Sequence, residues 1–342
     1  MPVSPSAGNF TCADLQVILV NSDKAWADNS TKKDYISYSE TIKAVMAEQT
    51  ASFPELEKME KDEKVKIYWA ADCSTTLADC DDDCNVGGAV PEAQCKEYEL
   101  DICKKASFSV PEKYFRKSNL TREEVVALAM MKRMKELDEF LSQQAVAQID
   151  SYAGVNQFAG IGQIAGPITY IAPAYWTADI MGYFAQVGLM NKFSNPYMIH
   201  GTNLWQSQWQ ANFNNLNQDQ KDSLAKFGSM RAYWDPFNVD LVNTPDKVSY
   251  MIDKGAVAFV TKAYYPTNAP VEYLGAGQIR YSVESKNLSG VFYDVVYTNR
   301  CLQNEIYHDF TLYVTAGIFQ NPLGCNADCT GVLKFVCGTP AP

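Results

Sequence analysis

The sequence predicts an α+β fold organised around one long helix. Three observations predict it. Thr121 to Gly154 carries a continuous helical stripe of apolar residues with no proline inside it. Residues 64–105 hold two alternating, strand-like runs on either side of a long acidic tip. From Gln278 onward the chain is a succession of strand patterns.

The helix comes first. Val126, Met130, Met134, Leu137, Leu141, Ala145 and Ile149 recur at three- and four-residue steps, so they share one face. Thr121 is a good N-cap, and Glu124 three residues on completes a capping box. Leu120 and Val125 are placed for a hydrophobic staple, and Gly154 is placed to stop the helix in a left-handed turn. At 1.5 Å per residue the rod is about 45 Å long, several times a usual globular helix. A rod of that length braces something extended.

Composition bounds the function. The chain has 342 residues, 47% of them hydrophobic, enough for one large or two ordinary domains. Its net charge of -11 argues against direct nucleic-acid binding, because phosphates repel such a surface. The opening MPVSPSAGNFTCADLQ has neither a basic nor an apolar signal region, so no secretory signal is expected. No apolar run reaches the ~18 residues of a membrane span, so no membrane partner is expected. Ten cysteines without a secretion signal read as reduced thiols rather than as a disulfide framework. Two histidines, His200 and His308, leave little acid–base chemistry.

In chain order, residues 1–63 read as an N-terminal arm without a core of its own. Within it Leu15 to Val20 suggests a short strand, Tyr35 to Ala47 weak helix, and Glu55 to Lys66 a solvated charge run. Residues 64–107 read as an extended two-stranded loop. Val65, Ile67 and Trp69 alternate along one strand; Tyr98, Leu100 and Ile102 alternate along the other. A lone ribbon is marginal in water, so it is expected to lie on a neighbouring subunit, with Trp69, Tyr98, Leu100 and Ile102 as its self-assembly residues. The link Phe108 to Ser118 then leads into the helix. A glycine-rich passage follows, then a helix over 176–193 and a short buried strand, Tyr197 to His200, stopped by Gly201. Residues 205–230 have helical character. Asp246 to Asp253 reads as a helix end with Gly255 as its C-cap, and Ala256 to Thr261 as a core strand. The strands Gln278–Glu284, Val291–Thr298, Phe310–Phe319 and Gly331–Val336 close the chain, the last two separated by a turn-rich loop.

Candidate chemistry is sparse. Gly160-Ile-Gly162-Gln-Ile-Ala165 matches a relaxed dinucleotide pattern, but a helix precedes it and Pro167 follows, so a crossing between domains is the better reading. Asp79, Asp81 and Asp83, with Asn85, alternate like a calcium loop; Val86 stands where glycine belongs, which leaves a weak metal candidate at an acidic tip. Cys80 with Cys84, and Cys325 with Cys329, are spaced too widely for the usual zinc hooks. His200, in PYMIHG, reads as a hydrogen-bonded core residue. His308 lies near Glu305 and Asp309 in the chain with no nucleophile motif beside it. The methionines at 130, 131 and 134 read as core packing. No cofactor and no catalytic residue is expected.

The order of these segments resembles the major capsid protein of tailed bacteriophages, the Johnson fold. Lys117-Ser118-Asn119-Leu120-Thr121 resembles the junction by which that family's extended loop enters its spine helix. Asn195 to Gly201 and Asp253 to Ala258 are similar to segments of its axial domain, and Tyr293 to Val296 with the last hairpin to its peripheral sheet. The resemblance implies an arm (1–63), an extended loop (64–107), a peripheral domain with the spine helix (108–154), an axial domain (155–275) and a peripheral sheet (276–342). It implies self-assembly into pentamers and hexamers of an icosahedral head that encloses double-stranded DNA. The partners would be further copies of the chain and scaffolding, decoration and portal proteins, in a virion assembled in the host cytoplasm. The sequence shows no charged helical scaffold segment, which implies a separate scaffolding protein or a processed start. A tail-tube or decoration protein, or a soluble carboxylate-based enzyme, are the alternatives; the long helix argues against a β-dominated tube.

Overall fold

A computed structural model describes residues 10–29, 32–49, 64–71, 92–117, 120–177, 180–201, 204, 226–227, 230–243, 247–273, 278–321 and 331–340. The acidic tip with Asp79, Asp81 and Asp83, both wide cysteine pairs, the segment 205–225 and the loop 322–330 lie outside the described residues.

The elements run α1 (Cys12–Asn29), α2 (Glu40–Glu48), β1 (Val65–Ala71), β2 (Glu92–Tyr98), β3 (Ile102–Pro111), α3 (Glu112–Lys117), α4 (Arg122–Ser151), β4 (Gln163–Ala165), β5 (Ile168–Ile171), a 3-10 turn (Pro173–Tyr175), α5 (Ile180–Met190), β6 (Tyr197–His200), β7 (Lys226–Phe227), β8 (Met230–Trp234), α6 (Pro236–Asn243), β9 (Lys247–Ile252), β10 (Val257–Thr261), β11 (Val271–Tyr273), β12 (Gln278–Glu284), β13 (Phe292–Leu302), β14 (Glu305–Gln320) and β15 (Val332–Cys337). They form two compact units. One comprises Met1–Ser39, Leu100–Gln144 and Val260–Gly317; the other comprises Glu40–Glu99, Ala145–Phe259 and Ile318–Pro342.

α4 is the predicted long helix, 30 residues without a break. Its capping box is made in both directions: Thr121 N–H donates to Glu124 Oε2 at 2.8 Å, and Glu124 N–H to Thr121 Oγ1 at 3.2 Å. Val126, Leu141, Ala145 and Ile149 are fully buried, and Met130, Met134 and Leu137 nearly so. The staple contributes little, because Leu120 is 45% exposed. Gly154 is not the left-handed stop expected of it: α4 ends at Ser151, Gly154 has no positive φ, and its N–H donates to Val332 O at 2.9 Å.

In the first unit, β13 and β14 form a long antiparallel hairpin. Its cross-strand neighbours Tyr297↔Phe310 and Val295↔Leu312 are buried. Gln303 and Asn304 at its tip both have positive φ, the backbone that matches the twist of two-residue hairpins. β3 pairs with β14 from Tyr307↔Pro111 to Ala316↔Ile102, and Phe108 stacks on Phe310 at 5.0 Å. The six-stranded sheet runs β10-β14-β13-β12-β11 with β3 beside β14.

The second unit carries a mixed seven-stranded sheet, β4-β5-β15-β9-β6-β8-β7. β15 is parallel to β5 and antiparallel to β9, so the last strand joins this sheet. α5 packs Phe184 and Val187 against Met251, Leu333 and Phe335 in a fully buried core. The unit also holds the separate two-stranded ribbon, β1 with β2, in register from Val65↔Tyr98 to Ala71↔Glu92.

Several expectations are corrected. Leu15 to Val20 is helix, not strand. Leu15, Ile18, Leu19 and Ser22 are buried at helical spacing, and Thr11 caps α1 through Asp14, each backbone N–H bonded to the other side chain at 2.8 and 3.2 Å. Asp246 to Asp253 is not a helix end but contains the central strand β9, where Val248 to Ile252 are buried on both faces. Gly255 therefore caps no helix; its φ of 79° closes the turn into β10, with Ala256 N–H donating to Asp253 O at 2.9 Å. The link after Phe108 is the end of β3 followed by α3. Tyr98, Leu100 and Ile102 do not share one strand, since β2 ends at Tyr98 and β3 begins at Ile102.

Candidate functional site

The ribbon and its base are the candidate assembly site. Trp69 lies in β1 opposite Gln94. At the base, Lys64 and Glu99 form an exposed ion pair at 3.3 Å. Tyr98 is 4% exposed; its ring meets Phe319 edge-on at 5.2 Å and its hydroxyl donates to Gln320 O at 2.9 Å. Burial pushes that hydroxyl's pKa up to about 12. Ile102 is buried beside its strand partner Ala316, and Leu100 is half-buried. Tyr98 and Ile102 are thus spent on packing inside their own chain and fix where the ribbon starts.

Both histidines are buried with hydrogen-bond partners. His200 is fully buried between the Phe184 and Trp234 rings, its Nδ1 2.8 Å from Ser249 Oγ. Burial lowers its pKa from 6.5 to about 3, so it is neutral in the folded chain. The unfolded chain protonates this imidazole below pH ~6.5, so its contribution to stability is complete above that pH and is lost as the pH falls towards ~3. Melting curves across that interval should be less steep in acid for His200→Phe combined with Ser249→Ala; an acid limb as steep as the parent's would place the titration elsewhere.

His308 is also fully buried, with Tyr297 Oη 2.9 Å from Nδ1 and Glu112 Oε2 2.8 Å from Nε2. Its sequence neighbours turn elsewhere: Glu305 pairs with Lys113 at 2.5 Å and Asp309 with Arg300 at 2.7 Å. Arg122 lies 3.7 Å over the Phe10 ring and 3.2 Å from His308 Nε2. This arrangement holds Phe10, just ahead of α1, against Tyr297, His308 and Phe310. Nothing in it aligns a nucleophile.

The glycine pattern is a packing device. Gly160 has a φ of 53°, and a Cβ there would come within 2.6 Å of the Tyr183 ring; at Gly162 it would come within 2.6 Å of Thr169. Tyr183 donates to Ala159 O at 2.7 Å. Strand β4 follows instead of a helix, so no helix N-terminus is available for a phosphate. Among the described residues no group of acidic, histidine or cysteine side chains is arranged to hold a metal, and Cys12, Cys103, Cys301 and Cys337 are free thiols.

Buried carboxylates escaped the sequence reading, Asp235 and Asp138 among them. Asp235 accepts from Thr41 N–H and Oγ1 at 2.8 and 2.6 Å and from Asn238 N–H at 3.1 Å, so one side chain caps α2 and α6 together. Asp235→Ala should cost about 2–4 kcal/mol in denaturant melts, because it orphans buried donors as well as removing a cap; a loss under ~0.5 kcal/mol would show that the caps are dispensable. The second is Asp138, fully buried on α4. Met134 four residues before it and Leu141 three after lie on the apolar stripe, and that spacing was the available signal.

No protein-family model matches the chain, and no curated protein matches it. Solved structures do. One from Mycobacterium phage Che8 aligns with a TM-score of 0.50 at 8% identity, covering 84% of this chain and 88% of that one. The capsid structure of the Cyanophage P-SCSP1u aligns at 0.49 and 9% identity, covering 82% and 85%. The capsid of Ralstonia phage GP4 aligns at 0.49 and 12% identity, covering 91% and 92%. At these identities the likeness is one of fold. The chain has the α+β Johnson fold that its segment order resembles.

Proposed function

We propose that the chain is the major capsid protein of a tailed bacteriophage, a structural protein and not an enzyme, which self-assembles into pentamers and hexamers of an icosahedral head around double-stranded DNA. The observation that carries this reading is the two-stranded ribbon, joined to a chain whose fold is shared with a phage structure. Seven residue pairs form it, and no third strand joins it among the described residues. Such a ribbon is marginal alone in water and gains its stability from a neighbour's surface. Net charge supports the reading too: a shell lining at -11 per chain repels packed phosphates and leaves the DNA unbound but enclosed.

In this reading the first compact unit, with the hairpin β13–β14 and most of α4, is the peripheral domain. The unit with the seven-stranded sheet is the axial domain, and β15 belongs to it by pairing, so the peripheral sheet ends before the C-terminus. The ribbon is the extended loop, overlapping an adjacent subunit through Trp69 and its neighbours. Many modest contacts of this kind sum to a stable shell. The partners are further copies of the chain and scaffolding, portal and decoration proteins, and the site of action is the virion, assembled in the host cytoplasm. No helix among the described residues is long and apolar enough to cross a membrane.

Sedimentation and negative-stain electron microscopy of the expressed chain, alone and with its neighbouring genes, test the proposal. Rings of five or six, tubes or closed shells are the expected result. A monodisperse monomer or dimer at every concentration overturns it.

A further inference from the structure

Asp138 sits at the centre of a small polar network whose direct hydrogen-bond partners are all neutral. Its carboxyl is 0% exposed. Ser285 Oγ donates to its two oxygens at 2.9 and 3.0 Å, Asn287 Nδ2 donates at 3.2 Å, and the Tyr293 hydroxyl donates as well. Among the described residues no lysine or arginine pairs with it. The charged groups on the packed elements are engaged elsewhere. On α4, Glu139 accepts from Tyr38 N–H at 3.3 Å and lies 3.8 Å from Lys135. Lys286, on the turn after β12, pairs with Asp23 of α1 at 2.5 Å, and Glu284, the last residue of β12, accepts from Gly290 N–H at 2.7 Å.

The same network holds two backbone segments in place. Ser285 Oγ, while donating to Asp138, accepts from the N–H groups of Asn287 and Leu288 at 3.2 and 3.1 Å and so shapes the turn 285–291. Asn287 bridges onward: its Nδ2 donates to Tyr35 O at 3.1 Å and its Oδ1 accepts from Ser37 N–H at 3.2 Å. Lys135 Nζ adds a bond to Lys33 O at 2.9 Å. Residues 33–38 thus form a strap on α4, just before the chain leaves the first unit at Ser39. One carboxyl fixes the turn, and the turn fixes the strap.

We propose that Asp138 is a proton-operated latch. Neutral, it holds the 285–291 turn and the 33–38 strap on α4; ionised, it releases them. A buried carboxylate with hydroxyl and amide neighbours but no cation carries a charge that those donors offset only in part, so the ionised group is drawn to water and opens the segments that cover it. Burial raises its pKa from 3.8 to about 7, against the opposing pull of the Tyr293, Ser285 and Asn287 hydrogen bonds. A carboxyl raised in the fold stabilises it fully below its unfolded pKa, and that stability is lost as the pH rises through ~7. The latch therefore closes in mild acid and opens in mild alkali.

Hydrogen exchange of the full chain, corrected for intrinsic rates, tests this at pH ~5.5 and ~8.5. Peptides covering 33–38 and 285–291 should lose about tenfold in protection at the higher pH, while peptides from β9 and β15 hold theirs. Asp138→Asn should make protection of the strap and turn equal at both pH values. Flat protection in the parent, or an unchanged pH response in Asp138→Asn, overturns the latch. Should that variant not fold, infrared spectroscopy of the parent decides: a protonated-carboxyl band at pH ~6 should vanish by ~8.5 and shift to higher pH in Tyr293→Phe. No such band at pH ~6 also overturns the proposal.

Discussion

Leu137→Asp should yield no cooperatively folded protein. Leu137 is 2% exposed on the inner face of α4, between Met134 and Leu141. A carboxylate there would lose its water. Burying an unpaired charge costs several kcal/mol and adds to the lost leucine packing, against a typical total stability of about 5–15 kcal/mol. Two controls separate charge from volume. Leu137→Ala should remain folded at a cost of about 2–5 kcal/mol, the range for a cavity in a close-packed core. Leu120→Asp, at the exposed start of the same helix, should change stability by less than about 0.5 kcal/mol. A parent-like melting curve for Leu137→Asp would mean that α4 presents a different face to the core.

What the sequence disclosed follows from how each signal is encoded. α4 was legible because its information is local and redundant: a reciprocal cap, a seven-residue stripe and no breaker all agree. β12, β13 and β14 were legible for the same reason, since alternation repeats along each. Leu15 to Val20 misled because a six-residue apolar run satisfies either period. The tie-breaker was Thr11 with Asp14, a cap whose acidic partner is Asp rather than the more familiar Glu. β9 misled for the opposite reason. A strand buried on both faces loses its alternation, and Val248, Tyr250 and Ile252 fit either reading until β15 and β6 flank them. The long-range roles of Asp138 and Asp235 could not be assigned from the chain alone, because Ser285 and Thr41, which donate to them, lie roughly 150 and 190 residues away in sequence. Each polar residue on an apolar stripe announces that a partner exists; topology alone says which. The assembly residues divide similarly. Alternation located the ribbon, whereas the burial of Tyr98 against Phe319 depends on a strand more than 200 residues later.

Replacing residues 66–97 by a two-residue turn should abolish assembly while sparing the subunit. The excision is geometrically clean, because Val65 and Tyr98 are direct partners across the ribbon's base. Tyr98 stays, and with it the edge-on contact to Phe319 and the bond to Gln320 O that anchor the base in its own unit. The seven-stranded sheet gives up no strand, since the ribbon is a sheet of its own. Thermal or denaturant melts of the shortened chain should therefore fall within about 1 kcal/mol of the parent's. Assembly has no such tolerance. Contacts that repeat around a closed shell act together, so a modest loss at each copy multiplies over the lattice and removes the closed form altogether. Sedimentation should then find single subunits or small oligomers under conditions where the parent forms rings or shells. Normal shells from the shortened chain would mean that the ribbon does not bridge subunits. A chain that fails to melt cooperatively would mean that the ribbon completes its own subunit's core, and Trp69 would then be a core residue and not an interface one.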